Sequence, residues 1–287
     1  MLRTMASKLA FLLTPDYTHT MTPALQPGRL EIRVEKNYDG LSRLGANLVL
    51  AELKRKPDLI LCASAGGSPT GMYARLAARC ARDPALFRKL RILQVDEWYG
   101  LPAGHEASCE SDLRRKLIEP LRIPPARFIR LNTTAPDPAA ECARVNRWLS
   151  AYGPIDICIL GLGTNGHIAM NEHSAQAVPT AHVARLAPSS RRHALLQDLP
   201  RKPRFGMTLG LGDILGSRKI LLLVSGTAKQ PVLARLTECR VNTQFPASFL
   251  WLHSQATVLC DRASFPPCKT KIESTSNPLK PCHGAHS

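Results

Sequence analysis

With 287 residues, 44% of them hydrophobic, the chain can bury a sizeable core as one large α/β domain or two ordinary ones. It carries 38 Lys and Arg against 22 Asp and Glu, a formal net charge of +16, which favours an acidic partner such as nucleic acid, an anionic membrane or a phosphorylated metabolite. Aromatic residues make up only 5%, no nucleic-acid-binding signature is present and no apolar run approaches transmembrane length, so neither a nucleic acid nor a membrane is expected as partner.

The first 28 residues, ending in "TMTPALQPG", read as a loose extension. The opening "MLRTMASKLAFLL" has too short an apolar stretch and no small-residue cleavage site for a secretory signal. Nine scattered cysteines, odd in number and never spaced Cys-x-x-Cys, argue against a disulfide scaffold or a zinc site and for a reducing, cytoplasmic setting. From residue 264 to 287 the chain turns rich in Pro, Ser, Thr and Lys, which predicts a disordered tail. Residues 29–263 hold no repeat and no linker, so a single domain is expected there.

Within that body, "DLILCAS" (58–64), "RILQVDEW" (91–98), "DICILGLG" (156–163), "RKILLLVSG" (218–226) and "ASFLWLHS" (247–254) are short runs, apolar on both faces, that suit buried parallel strands. Between them, "PTGMYARLAARC" spaces Met72, Leu76 and Cys80 four apart, and "AAECARVNRWLSAYG" groups Val145, Trp148 and Leu149 before stopping at Gly153. Strands alternating with amphipathic helices predict a doubly wound, Rossmann-like, mostly parallel sheet with helices on both faces. Ligands of such sheets lie beyond the carboxyl ends of the strands.

Four strand ends carry chemistry. After the first run, Gly66 and Gly67 let the backbone approach an anion, with Ser68 as N-cap and Pro69 as first residue of the next helix. A tight turn would read the same way. After the second comes Asp96-Glu97: a solvated turn, or Asp96 as a general base at the mouth of the crevice. After the third, "GLGTNGHIAMNEH" sets His167 among glycines with Glu172 five residues on, a pairing in which the carboxylate would fix the imidazole tautomer. After the fourth, Lys229 occupies a first helical turn, where the dipole disfavours a cation unless an anion binds there. Together these loops suggest acid/base chemistry on a small phosphorylated substrate.

At these positions the chain resembles the glucosamine-6-phosphate deaminase/isomerase superfamily, which also contains 6-phosphogluconolactonases, over most of residues 45–262. "AGGSPTGMY" is similar to its Gly-Gly-Thr-Pro phosphate loop, "VDEWYGLP" to its Asp-Glu-aromatic motif, and "GLGTNGHIAMNEH" to its Gly-x-Gly-x-Asp-Gly-His-Ile-Ala-x-Asn-Glu signature. "FGMTLGLGDIL", "LLLVSGTAKQ" and "PASFLWLHS" look most like the galactosamine-6-phosphate branch. The resemblance implies isomerising deamination of a sugar-phosphate substrate with no metal or organic cofactor, and leaves homo-oligomerisation open. Asp96 would move a proton between C2 and C1, His167 with Glu172 would open the pyranose ring, and Gly66, Gly67, Ser68 and Lys229 would hold the 6-phosphate.

The chain departs from the pattern at four places. Ala65 replaces a usual threonine and removes one phosphate donor; His173 replaces a proline after Asn-Glu. Asn165 replaces the usual aspartate in the catalytic loop, which would leave His167 leaning on Glu172 alone. The phosphate-binding arginine falls near Arg191 or Arg192 without a unique match. A lactone hydrolase is a weaker reading, because such enzymes lack the pair present here as Asn171-Glu172. A non-catalytic sugar-phosphate sensor is another, for which no helix-turn-helix region is found ahead of the domain.

Overall fold

The computed structural model describes residues 30–266, and the expected N-terminal extension and residues 267–287 lie outside the described residues. Seven parallel strands form the central sheet: β1 (Glu31–Glu35), β2 (Ile60–Ala63), β3 (Arg91–Gln94), β5 (Phe128–Ile129), β6 (Ile157–Gly161), β9 (Lys219–Val224) and β10 (Ala256–Asp261). Their order across the sheet is β1-β10-β9-β6-β2-β3-β5, every pair parallel. A second, three-stranded antiparallel sheet joins β4 (Asp96–Trp98), β8 (Phe205–Thr208) and β7 (His182–Arg185), with β8 central.

Strand residues alternate between two cores, which is why the runs are apolar throughout. Leu61, Ile159 and Leu221 face one side, under α1 (Tyr38–Arg55) and α2 (Thr70–Arg82), whose Val49, Leu53, Met72, Leu76 and Cys80 meet them. Cys62, Cys158, Leu160 and Leu222 face the other, covered by Val145 of α4 (Pro138–Tyr152) and Leu233 of α6 (Gln230–Leu236). Each such fully buried aliphatic side chain contributes about 1.5–3 kcal/mol. Trp148 and Leu149 pack at the rim of the second core, and α4 ends at Gly153.

Three expectations need correction. "ASFLWLHS" is no strand: Pro246–Leu252 form a 3-10 helix started by Pro246, with the Ala247 N–H bonded to the Gly166 carbonyl. A short run buried on all sides has no period to separate helix from strand, and the sheet instead takes the following Ala256–Asp261. "RILQVDEW" is two strands, because the chain leaves the main sheet at Val95 and enters the small one at Asp96. Residues 264 and 265, expected in the tail, belong to the fold: Ser264 is fully buried, donates from Oγ to the Val224 carbonyl at 3.0 Å, and Phe265 packs on the core.

Candidate active site

β2 and β6 are neighbours, with Cys62 opposite Cys158, yet the chain proceeds from β2 to β3 and β5 on one side and from β6 to β9 and β10 on the other. Loops leaving two such strands diverge and open a crevice between them. A cleft of ≈ 290 Å³ lies there, and Gly66, Gly67, Ser68, Asp96, His167 and Lys229 all line it.

The loop after β2 is fixed from behind. Gly66 adopts φ +105°, and its N–H donates to the buried Asp112 carboxylate at 2.9 Å, while Lys116 Nζ donates to the Gly66 carbonyl at 3.1 Å. Tyr38 holds the far side, its hydroxyl donating to the Gly67 carbonyl and accepting from the Gly71 N–H, both at 2.8 Å. The N–H of Gly66 is therefore spent and Gly66 contributes shape. The N–H groups of Gly67 and Ser68 have no acceptor among the described residues, and an anion can take them. Ser68 does not cap the helix: α2 begins one residue later than expected, at Thr70, with Pro69 in the cap position and no side-chain cap bond.

Asp96 opens β4, paired with Thr208, half-buried, and its carboxylate makes no hydrogen bond to the described residues. Burial first, then the neighbouring negative charge of Glu97, push its pKa up to about 7. Glu97, on the opposite face of the strand, is wholly buried and accepts from the N–H groups of Trp98 (2.7 Å), Cys109 (2.9 Å) and Glu110 (2.7 Å) and from Gln94 Nε2 (2.8 Å). Two of those donors open α3 (Cys109–Leu113), the helix that also carries Asp112. One short helix thus ties the strand of Asp96 to the loop after β2 and fixes their separation.

In the loop after β6, the His167 ring lies flat on the backbone of Gly163: a Cβ there would sit 2.4 Å from the imidazole. His167 Nδ1 lies 3.1 Å from Ser190 Oγ and 3.5 Å from Glu172 Oε2. Glu172 also accepts from Asn165 Nδ2 at 2.9 Å and from the Ala187 N–H at 3.1 Å. Burial alone would raise the Glu172 carboxyl, but His167, the Ser190 hydroxyl and the Asn165 amide outweigh it and hold it at about 2. An ionised carboxylate and a hydroxyl on Nδ1 leave Nε2 for the cleft. The imidazole does not lean on Glu172 alone, because Ser190, from a segment after β7, shares Nδ1. Neither Glu172 nor Asn165 lines the cleft; Glu172 borders a larger cavity of ≈ 580 Å³ behind the loop, and Asn165 reaches the carboxylate, not the ring.

Lys229, half-buried, donates to the Leu162 carbonyl at 2.6 Å, and burial lowers its pKa. Of the two arginines, Arg192 lines the cleft and Arg191 the cavity behind it. Trp98, Cys109 and His193 line the cleft as well and were not anticipated. Trp98 sits two residues beyond Asp96, on the same face of β4, so strand alternation would have found it; His193 lies in the connection from β7 to β8, not at an end of a parallel strand, and has no local signal. Among the described residues no group of three or more His, Cys, Asp or Glu is placed to hold a metal ion, and no helix is long and apolar enough to cross a membrane.

Residues 38–259 match the family of glucosamine-6-phosphate isomerases and 6-phosphogluconolactonases. The chain belongs to this family. It is 34% identical over 219 residues to the protein named "Putative deaminase AgaI" of Escherichia coli (strain K12), covering 76% of this chain and 87% of that one. It is 35% identical over 231 residues to a glucosamine-6-phosphate deaminase of Geobacillus sp. (strain WCH70), covering 79% and 91%. Among solved structures, a monomeric glucosamine-6-phosphate deaminase described as the missing link of the NagB superfamily matches with TM-score 0.76 at 32% identity over 82% of this chain and 98% of that one. The 6-phosphogluconolactonase of Trypanosoma brucei matches with TM-score 0.66 over 83% and 98%, at 21% identity, and shares the fold.

Proposed function

We propose that the chain isomerises and deaminates an amino-sugar 6-phosphate, with galactosamine 6-phosphate and glucosamine 6-phosphate as the substrates to test. The observation that carries this reading is an unpaired carboxylate near neutral pKa, Asp96, facing a cleft that an anion loop and a carboxylate-backed histidine also line. The 6-phosphate takes the Gly67 and Ser68 N–H groups and Lys229, and this remote anchor holds the reacting carbons against Asp96. His167 Nε2 passes a proton at the ring oxygen and opens the pyranose. Asp96 then removes the C2 proton and returns it to C1, which leaves an iminium at C2. Water adds there and ammonia leaves, so that amino-sugar phosphate and water give ketose phosphate and ammonia. A base with pKa about 7 is half ionised near neutral pH and is still strong enough to take a carbon-bound proton.

Purified protein is expected to release equal amounts of ammonia and ketose 6-phosphate, and Asp96→Asn to abolish release. No ammonia from either amino-sugar phosphate sinks the reading, and hydrolysis of 6-phosphogluconolactone in its place makes the chain a lactonase.

A further inference from the structure

The phosphate cradle proposed above lacks a donor on its Gly66 side. Gly66 has given its N–H to Asp112, Ala65 has no hydroxyl, and Lys229 has committed one of its three N–H donors to the Leu162 carbonyl. A dianionic phosphate monoester offers three oxygens with two lone-pair directions or more on each and no donor of its own, so its affinity depends on how many N–H and O–H groups face it.

His193 stands over this gap. It links two 3-10 turns, Ser190–Arg192 and Ala194–Leu196, and its ring leans on Trp98, with centroids 5.6 Å apart at 51°. Nδ1 accepts the Leu195 N–H at 3.2 Å. A ring nitrogen that accepts carries no proton, so in the neutral imidazole the proton is on Nε2. That nitrogen points across Gly66: an atom in the Cβ position of residue 66 would lie 3.4 Å from it. No hydrogen bond to the described residues uses it, and the residue lines the cleft. Burial, then the charges of His167, Lys229 and Lys116, depress the titration of His193, against an opposing pull from Asp112, which keeps the ring in this neutral tautomer.

We propose that His193 is a substrate-positioning residue that donates Nε2–H to the phosphate of the substrate, above Gly66 and beside Lys229. It supplies from the 189–196 segment a donor that the loop after β2 no longer provides. The identity of the ligand as a sugar phosphate rests on the deaminase reading; the donation itself can be tested with inorganic phosphate, which needs no turnover.

Two variants separate donation from packing. Gln carries an amide N–H near the position of Nε2, whereas Met fills comparable volume against Trp98 without a donor. The dissociation constant of inorganic phosphate, read from its thermal stabilisation of each folded protein, is expected to weaken about tenfold or more in His193→Met, the loss of one hydrogen bond to a charged group, and to stay within about threefold of wild type in His193→Gln. KM for the amino-sugar phosphate follows the same order, with kcat changing less than KM. Wild-type phosphate affinity in His193→Met overturns the proposal, and so does a His193→Gln as weak as the Met variant, since then the ring's shape is what matters. If the wild type releases no ammonia while the phosphate constants follow the expected order, the deaminase reading fails and the role of His193 stands.

Discussion

Two carboxylates, one in the cleft and one behind its histidine loop, are driven in opposite directions. Asp96 sits half-buried with no hydrogen-bond donor among the described residues and a buried acid next to it in sequence, and reaches about 7; Glu172 is surrounded by an imidazole, a hydroxyl, an amide and a backbone N–H, and drops to about 2. Both are desolvated, so burial does not distinguish them. What differs is whether the fold supplies partners for the negative charge. The one left without partners is suited to exchange protons near neutral pH, and the one given partners is a permanent anion suited to orient a base.

The largest expected effect comes from removing the unpartnered acid. Asp96→Asn should lower kcat by about a thousandfold or more, as expected for loss of an essential proton-transfer group, whereas the wild-type kcat/KM rises with pH through an apparent pKa of about 7. The same variant should melt higher than wild type above pH 7. An acid whose folded pKa is raised binds its proton more tightly in the native state, so the wild type loses stability as pH rises from the ordinary value of 3.8 to about 7. The gain in the variant therefore disappears in acid, and calorimetry across that range checks it.

Glu172→Gln should cost about a hundredfold in kcat by releasing the orientation of His167. Its stability signature has the opposite sign to that of Asp96. A carboxyl held at about 2 contributes stability that is fully present above its ordinary 4.5 and is lost as pH falls toward 2. The variant should lack that part of the acid-range dependence, and acid titration of the two proteins compares them directly.

Glu97→Gln tests the neighbour that keeps Asp96 high. Removing the negative charge lets Asp96 ionise more easily, so the rising limb of kcat/KM should move to lower pH, while two of the four hydrogen bonds are lost, because each carboxylate oxygen accepts two of them, at a cost of about 1–3 kcal/mol for each in unfolding by denaturant. A limb that stays in place would mean that burial alone sets Asp96.

The smallest effect is expected at Asn165. Its amide donates to Glu172, so Asn165→Asp puts two carboxylates in contact and adds no charge directly to the imidazole. They would share a proton, and the acid limb of the rate profile should shift upward by about half a unit. An unchanged profile would place Asn165 outside the network.

Much of the site was legible because strand-end loops of a parallel sheet announce themselves. Asp96, His167, Gly67, Ser68 and Lys229 each follow an apolar run, and all line the cleft. His193 and Ser190 were not legible, and Arg192 stood undecided beside Arg191, because the 189–193 segment lies in the connection from β7 to β8, outside the strand-end loops of the parallel sheet, and reaches the cleft only by folding back over Gly66 and His167. The misread strand at 247–254 has the same root: burial on every side erases the period that tells helix from strand.

By itself the sequence determined the class of fold, the order of the chemical loops and the residue types available for proton transfer, since these follow from local periodicity and composition. Only the tertiary structure decided which side chains share a hydrogen bond. It spent the Gly66 N–H on Asp112, left the Asp96 carboxylate without a hydrogen-bond partner among the described residues, and put Ser190 beside His167 and Glu172. The physical reason is that desolvation and hydrogen-bond supply are properties of what surrounds a group in space. Residues 23 positions apart in the chain supply the two sides of that Ser190–His167 contact.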